Sequence, residues 1–150
     1  MAESLANILL HLTFSTKGRH RLIRPEIEDE LHRYLAGTCR ELGCPAHEIG
    51  GTDDHVHIFL SLSRTITVAK VVEEVKKGSS KWIKTKGDAH RGFAWQGGYG
   101  VFSIGQSGFD ALRRYIQDQK EHHHQVSFQD EFRALCRRYG LEIDERYVWD

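Results

Sequence analysis

The chain lacks most of the features that would settle its class at once. Its three cysteines, Cys39, Cys44 and Cys136, are an odd number without metal-ligand spacing. They read as reduced thiols, which predicts a cytoplasmic protein. Long apolar runs are missing: Ile8-Leu9-Leu10 and Ile58-Phe59-Leu60 are far too short to span a bilayer, so no membrane partner is expected. The first residues, Met1 to Asn7, carry Glu3 and no basic cluster ahead of an apolar stretch, so they do not read as a signal peptide. Repeats, linkers and low-complexity stretches are absent, and one domain, 1–150, is expected. What is there is ordinary for a globular chain: 39% apolar and 28% charged residues exclude disorder, and 150 residues can build a core without disulfides.

Net charge is also missing. The formal charge is zero, which at first argues against nucleic acid as a partner, but the bases are pooled. Residues 1–24 hold Lys17, Arg19, Arg21 and Arg24 against Glu3, and residues 64–91 hold eight bases against three acids. Between them, residues 25–63 hold two bases and eight acids. Two basic blocks suit a local phosphate-binding face, and equally two solvated surfaces.

The apolar period switches along the chain. Leu5 to Ser15 alternates at Leu10, Leu12 and Phe14 and reads as a strand. Pro25 followed by Glu26, Glu28, Asp29 and Glu30 opens a helix that stops at Gly43. Strands at about 45–50 and 55–62 flank the turn Gly51-Thr52-Asp53-Asp54, a hairpin signal. Val68, Val71, Val72 and Val75 form one buried stripe of a helix over about 68–85. A strand at about 99–104 follows a glycine-rich stretch. Ser107 with Asp110 predicts a helix over about 108–124, and Ser127 with Asp130 another that ends before Gly140. The charged, aromatic tail is expected to lie across a neighbour. The order β-α-β-β-α-β predicts an α+β class, a ferredoxin-like, RRM-like antiparallel sheet with additional C-terminal helices.

Two constellations could carry chemistry. In His55-Val56-His57 the two histidines share one face of a strand, about 7 Å apart along it, where they can hold one divalent ion or stand as exposed strand histidines. Tyr115 and Gln119, at i and i+4 of the third helix, share a face with Leu112 and Ile116. Here a phenol nucleophile and an amide ligand compete with a core aromatic and a surface amide. Together, His55, His57 and Gln119 would supply two nitrogens and one oxygen to Mg²⁺ or Mn²⁺, with Tyr115 one turn away for in-line attack on a phosphate. The run His122-His123-His124 reads as a solvated helix end.

At these residues the chain resembles a family. His55-Val56-His57 followed by Tyr115-Ile116-Gln117-Asp118-Gln119 is similar to the HUH-superfamily single-tyrosine transposases of small bacterial insertion sequences, the IS200-like transposases. His11, Ser15-Thr16-Lys17, Gly51 to Ile58, Lys76 to Trp82, Trp95 to Ile104 and Arg114 to Gln119 carry the likeness in order. The resemblance implies cleavage and rejoining of single-stranded DNA at hairpin-containing element ends. Tyr115 would attack, forming a 5′-phosphotyrosine and freeing a 3′-OH, in a homodimer. A related subgroup acts on repeated extragenic palindromes. Lys17, Arg19, Arg21, Lys76, Lys77 and Lys81 would then hold DNA phosphates, with Trp82, Trp95 or Tyr99 stacking on bases. Gly105 and Gly108 would suit a hinge. The competing expectations are a metal-dependent nuclease that uses water, and a non-catalytic RRM-like nucleic-acid-binding module.

Overall fold

Alternation along three strands decides which side chains meet. The computed structural model describes residues 2–150. Strands β1 (Leu9–Ser15), β2 (Ala46–Gly51), β3 (His55–Ser61) and β4 (Gly100–Ile104) form one antiparallel sheet in the order β2-β3-β1-β4. Leu12 and Phe14 of β1 and Val56, Ile58 and Leu60 of β3 point to one face. There they pack against α1 (Pro25–Glu41), through Ile27, Leu31, Leu35 and Cys39, and α2 (Val68–Ile83), through Val71, Val72 and Val75. This is the ferredoxin-like β-α-β-β-α-β arrangement.

The residues between them, Leu9 and His11 on β1, His55, His57 and Phe59 on β3, and Phe102 on β4, point to the other face. In an open two-layer sheet that face would be wet. Here α3 (Phe109–Gln117), α4 (Gln119–His122) and α5 (Phe128–Arg138) cover it. Leu112 and Ile116 of α3 close on Phe59, and Phe128 and Phe132 of α5 close around Phe102. Close approach has required glycine: a Cβ on Gly50 would lie 2.5 Å from the Ile116 carbonyl oxygen, and one on Gly100 2.5 Å from Phe132 Cε2. Among the described residues no helix is long and apolar enough to cross a membrane.

Several boundaries differ from expectation for local reasons. The first strand begins at Leu9, because only from there does β1 find partners in β3 and β4. The Ser107–Asp110 box does not form. Gln106–Gly108 winds a 3₁₀ turn instead, and α3 starts from Gly108 without a side-chain cap. The expected long third helix breaks at Asp118 (φ −93°, ψ 14°), which turns α4 away from α3. The Ser127 cap does form, its hydroxyl accepting from the Asp130 amide at 3.1 Å. The tail lies back across the fold, with Trp149 against Phe132 and the Gly98 amide donating to the Asp150 carbonyl at 3.0 Å.

Candidate active site

His55 and His57 are fully buried, with ring centroids 5.1 Å apart, on the sheet face under α3, α4 and α5. Val56 between them is buried in the opposite core, which fixes the strand and aims both imidazoles the same way. His55 is clamped from the turn before it: Thr52 Oγ1 donates to Asp54 Oδ1 at 3.1 Å, and Asp54 Oδ1 takes the His55 Nδ1 proton at 2.7 Å. The Asp54 carboxyl stays below its usual range, because its bonds and charge contacts with His55 and Thr52 outweigh its burial. As an acceptor it orients the His55 ring and leaves Nε2 pointing toward Gln119.

That nitrogen faces oxygen. Gln119 Oε1 lies 2.9 Å from His55 Nε2, and Glu131 Oε1 lies 3.7 Å from it. His57 Nε2 stands 2.9 Å from the same Glu131 oxygen, and its Nδ1 stands 2.7 Å from His11 Nε2. Burial, then His57, depresses the pKa of His11 to about 3, so His11 is neutral at pH 7. Burial likewise lowers that of His57. His123 Nε2 is 3.1 Å from Glu131 Oε1, so donor atoms of His55, His57, His123 and Glu131 all lie within 4.8 Å of one another. His122 Nε2, also buried, has no hydrogen-bond partner. Imidazole nitrogens and a carboxylate oxygen converging within 4.8 Å, beside an imidazole nitrogen without a hydrogen-bond partner, form an arrangement that a divalent cation can complete. The residues fit a metal ion.

Tyr115 joins this cluster through the same carboxylate. Its hydroxyl donates to Glu131 Oε2, and its ring stands edge-on to His57 with centroids 5.9 Å apart. Gln119 Nε2 donates to the same oxygen at 2.9 Å. Burial and the neighbouring Glu131 raise the Tyr115 pKa above its ordinary value. Glu131 is held well below the usual carboxylate range: His57, His123 and His55 outweigh its desolvation. The phenol therefore keeps its proton in this environment. A cavity of about 660 Å³, lined in part by His11, Leu112, Tyr115, Glu131, Arg138 and Tyr139, leads to it.

All four sequence-derived site residues thus meet: His55, His57, Tyr115 and Gln119. Gln119 reaches the histidines from the start of α4, beyond the break at Asp118. Two further residues were missed. Glu131 is 3% exposed at the centre of the cluster, and His123, expected on a solvated helix end, turns into the site with a side chain only 9% exposed. Gly105 and Gly108 have φ of −76° and −91°, which any residue adopts.

The basic residues do not form one face. Arg19 and Arg21 line a groove of about 760 Å³ with Lys120, His123 and Phe128, beside the histidines. Lys17 is exposed nearby in sequence. Lys77 and Lys81 are exposed on α2, across the sheet from the histidines. Lys76 is not free: its ammonium donates to the carbonyls of Gln96 and Gly98 at 2.7 and 2.6 Å, and burial lowers its pKa to about 8. Trp82 stacks on Tyr34 at 4.9 Å, Trp95 is buried between Phe14 and Phe93, and Tyr99 is the exposed aromatic of the three.

Residues 4–119 match the family model of IS200-like transposases. The chain belongs to that family. It is 22% identical over 116 residues to the ISDra2 transposase TnpA of Deinococcus radiodurans, covering 74% of this chain and 83% of the relative. The fold is shared with a crystal structure assigned as a transposase from Deinococcus radiodurans R1 (TM-score 0.62, 21% identity, 79% of this chain and 98% of the other). It is shared too with a REP-associated tyrosine transposase bound to a REP hairpin (TM-score 0.60, 14% identity, 84% and 76%). The stretch matched to the IS200-like family ends at Gln119, so His123 and Glu131 lie outside it.

Neutral, buried His11 makes stability depend on pH. Unfolded, it titrates near 6.5; folded, near 3. Above pH 6.5 neither state binds this proton; below it the unfolded state does, so stability falls as pH drops toward 3. The urea midpoint is expected to fall from pH 7.5 to pH 5, with a smaller fall in His11→Asn. Equal falls in both proteins would show that His11 does not contribute.

Proposed function

We propose that this member of the IS200-like transposases cuts and rejoins single-stranded DNA through a covalent 5′-phosphotyrosine on Tyr115, with a divalent metal, Mg²⁺ or Mn²⁺, held by His55, His57 and Gln119. One observation carries the reading: a single buried carboxylate, Glu131, touches both the Tyr115 hydroxyl and the imidazole of His57. A phenol and a metal-competent histidine pair so joined are suited to phosphoryl transfer without a nucleotide energy source.

The residues take defined parts. Tyr115 Oη attacks phosphorus as the bond to the 3′ oxygen of the preceding nucleotide breaks. The phenol proton is lost toward Glu131 Oε2, the acceptor already bonded to it, and the leaving oxygen takes up a proton to become a 3′-OH. A bound divalent ion supplies positive charge that polarises the phosphate and favours the ionised phenol. His11 and Asp54 hold the two histidines in place from behind. In the reverse direction a second strand's 3′-OH attacks the phosphotyrosine, and Tyr115 leaves, giving strand transfer.

The DNA partner is single-stranded and hairpin-containing, a reading supported by the resemblance and by the REP hairpin carried by one fold neighbour. Arg19, Arg21 and Lys17 are the bases best situated to follow a strand into the groove beside His123. Lys77 and Lys81 would meet a more distant segment, with Trp82 near them, while Lys76 supports the loop at 96–98. The sheet face that an RRM-like module would offer to nucleic acid is covered by α3 to α5, which weighs against simple binding. A homodimer is part of the reading.

The polarity of the cut tests this. Oligonucleotides from both strands of the DNA flanking the gene, incubated with the protein and Mn²⁺, are expected to yield a fragment whose 3′ end a polymerase extends directly. A fragment that requires phosphatase before extension would contradict a 5′-phosphotyrosine.

A further inference from the structure

Glu131 is hard to explain as a structural acid. It lies on α5, where Phe128, Phe132 and Leu135 form the apolar stripe, and it occupies the stripe position between them at i+3 from Phe128. Its side chain is 2% exposed, and among the described residues its ion-pair partners are His55, His57, His122 and His123, with no lysine or arginine. Burying a carboxylate with no lysine or arginine beside it is costly without a further positive charge.

The geometry supplies the place for that charge. Glu131 Oε1 stands 2.9 Å from His57 Nε2, 3.1 Å from His123 Nε2 and 3.7 Å from His55 Nε2. Adjacent ligands of an octahedral ion bound at about 2.1 Å lie about 3.0 Å apart, so these are separations between neighbours in one coordination sphere. A carboxylate oxygen is also the donor that Mg²⁺ and Mn²⁺ prefer, which a site built on two histidines and an amide otherwise lacks.

We infer that Glu131 is a metal ligand of this protein, binding the ion through Oε1 while Oε2 holds the Tyr115 hydroxyl, so that α5 ties the ion to the nucleophile. This rests on the proposed metal-dependent reading and extends it to a residue beyond the stretch matched to the family. The carboxylate thereby positions Tyr115 relative to the ion.

The test is metal binding, not turnover. Titration of the metal-free full-length chain with Mn²⁺ by calorimetry, and with Co²⁺ by its visible spectrum, is expected to show one site. Glu131→Gln is expected to weaken Mn²⁺ at least about tenfold, the loss that even outer partners of a ligand cause, and to change the Co²⁺ bands. Circular dichroism in EDTA reports whether the variant is folded. If Glu131→Gln is unfolded, Glu131→Asp, which keeps the charge but draws it back by one methylene, is expected to give the same loss. Unchanged affinity and spectrum would overturn the assignment. So would tighter binding, which would make the carboxylate a competitor of the ion. Should only His57→Ala lose the metal while the Glu131 variant binds normally, the role of Glu131 falls and the proposed function stands. If the unaltered chain takes up neither ion, both fall.

Discussion

Alanine at position 57 will lower DNA strand cleavage by a factor on the order of 10³ or more, and chelation with EDTA will do the same to the unaltered chain. A metal ion at a phosphate contributes several kcal/mol of transition-state stabilisation, and each 1.36 kcal/mol is tenfold in rate. His57 is fully buried, bonded to His11 on one side and Glu131 on the other, so its loss removes a ligand nitrogen and leaves His11 without its side-chain partner. Gel assays with a labelled oligonucleotide over a range of Mn²⁺ measure the effect. Excess Mn²⁺ is expected to restore EDTA-treated protein fully but His57→Ala poorly. Near-normal cleavage by a folded His57→Ala protein would remove the histidine pair from the chemistry.

Phenylalanine at position 115 is expected to have a still larger effect, because in the proposed reaction it deletes the attacking atom. Cleavage is expected to fall by a factor on the order of 10⁴ or more, as when a covalent nucleophile is lost. DNA binding should be unaltered within about twofold, since the ring keeps its packing beside His57 and only one hydroxyl is removed. Mn²⁺ affinity is likewise expected to hold, which separates this variant from His57→Ala. The hydroxyl's partner, Glu131, retains the Gln119 amide and the imidazoles, so the fold should survive. Comparison of cleavage rate with binding by fluorescence anisotropy tests the pair of expectations. Equal activity in Tyr115→Phe would point to water as the nucleophile.

Much of this was legible in the chain because the signals were periodic and local. Alternation in β1 and β3, the valine stripe of α2 and the His55-Val56-His57 pair each follow from one element's geometry. Tyr115 and Gln119 were found from helical spacing, although the helix breaks between them at Asp118. They still converge, because the turn that ends α3 carries Gln119 toward His55 rather than away.

What escaped was set by tertiary contact. His123 is one of three consecutive histidines, and nothing in that run says which will turn inward; docking of α5 decides it. Lys76 sits among solvated lysines on α2, yet the 96–98 loop folds over its ammonium. Trp95 becomes core because Phe14 and Phe93 enclose it. Glu131 did leave a trace. An acid at i+3 on a stripe formed by Phe128, Phe132 and Leu135 is a polar group forced inward, and such a group needs a partner of opposite charge.

The central claim is that Tyr115 becomes covalently joined to DNA. Protein incubated with Mn²⁺ and a single-stranded oligonucleotide spanning the element end, then denatured and measured by intact mass, tests it most directly. The account predicts a species heavier by the mass of the 3′-side DNA fragment, mapping by peptide analysis to Tyr115 and missing in Tyr115→Phe and His57→Ala. Cleaved DNA with no heavier protein species, at the same rate in Tyr115→Phe, would contradict it.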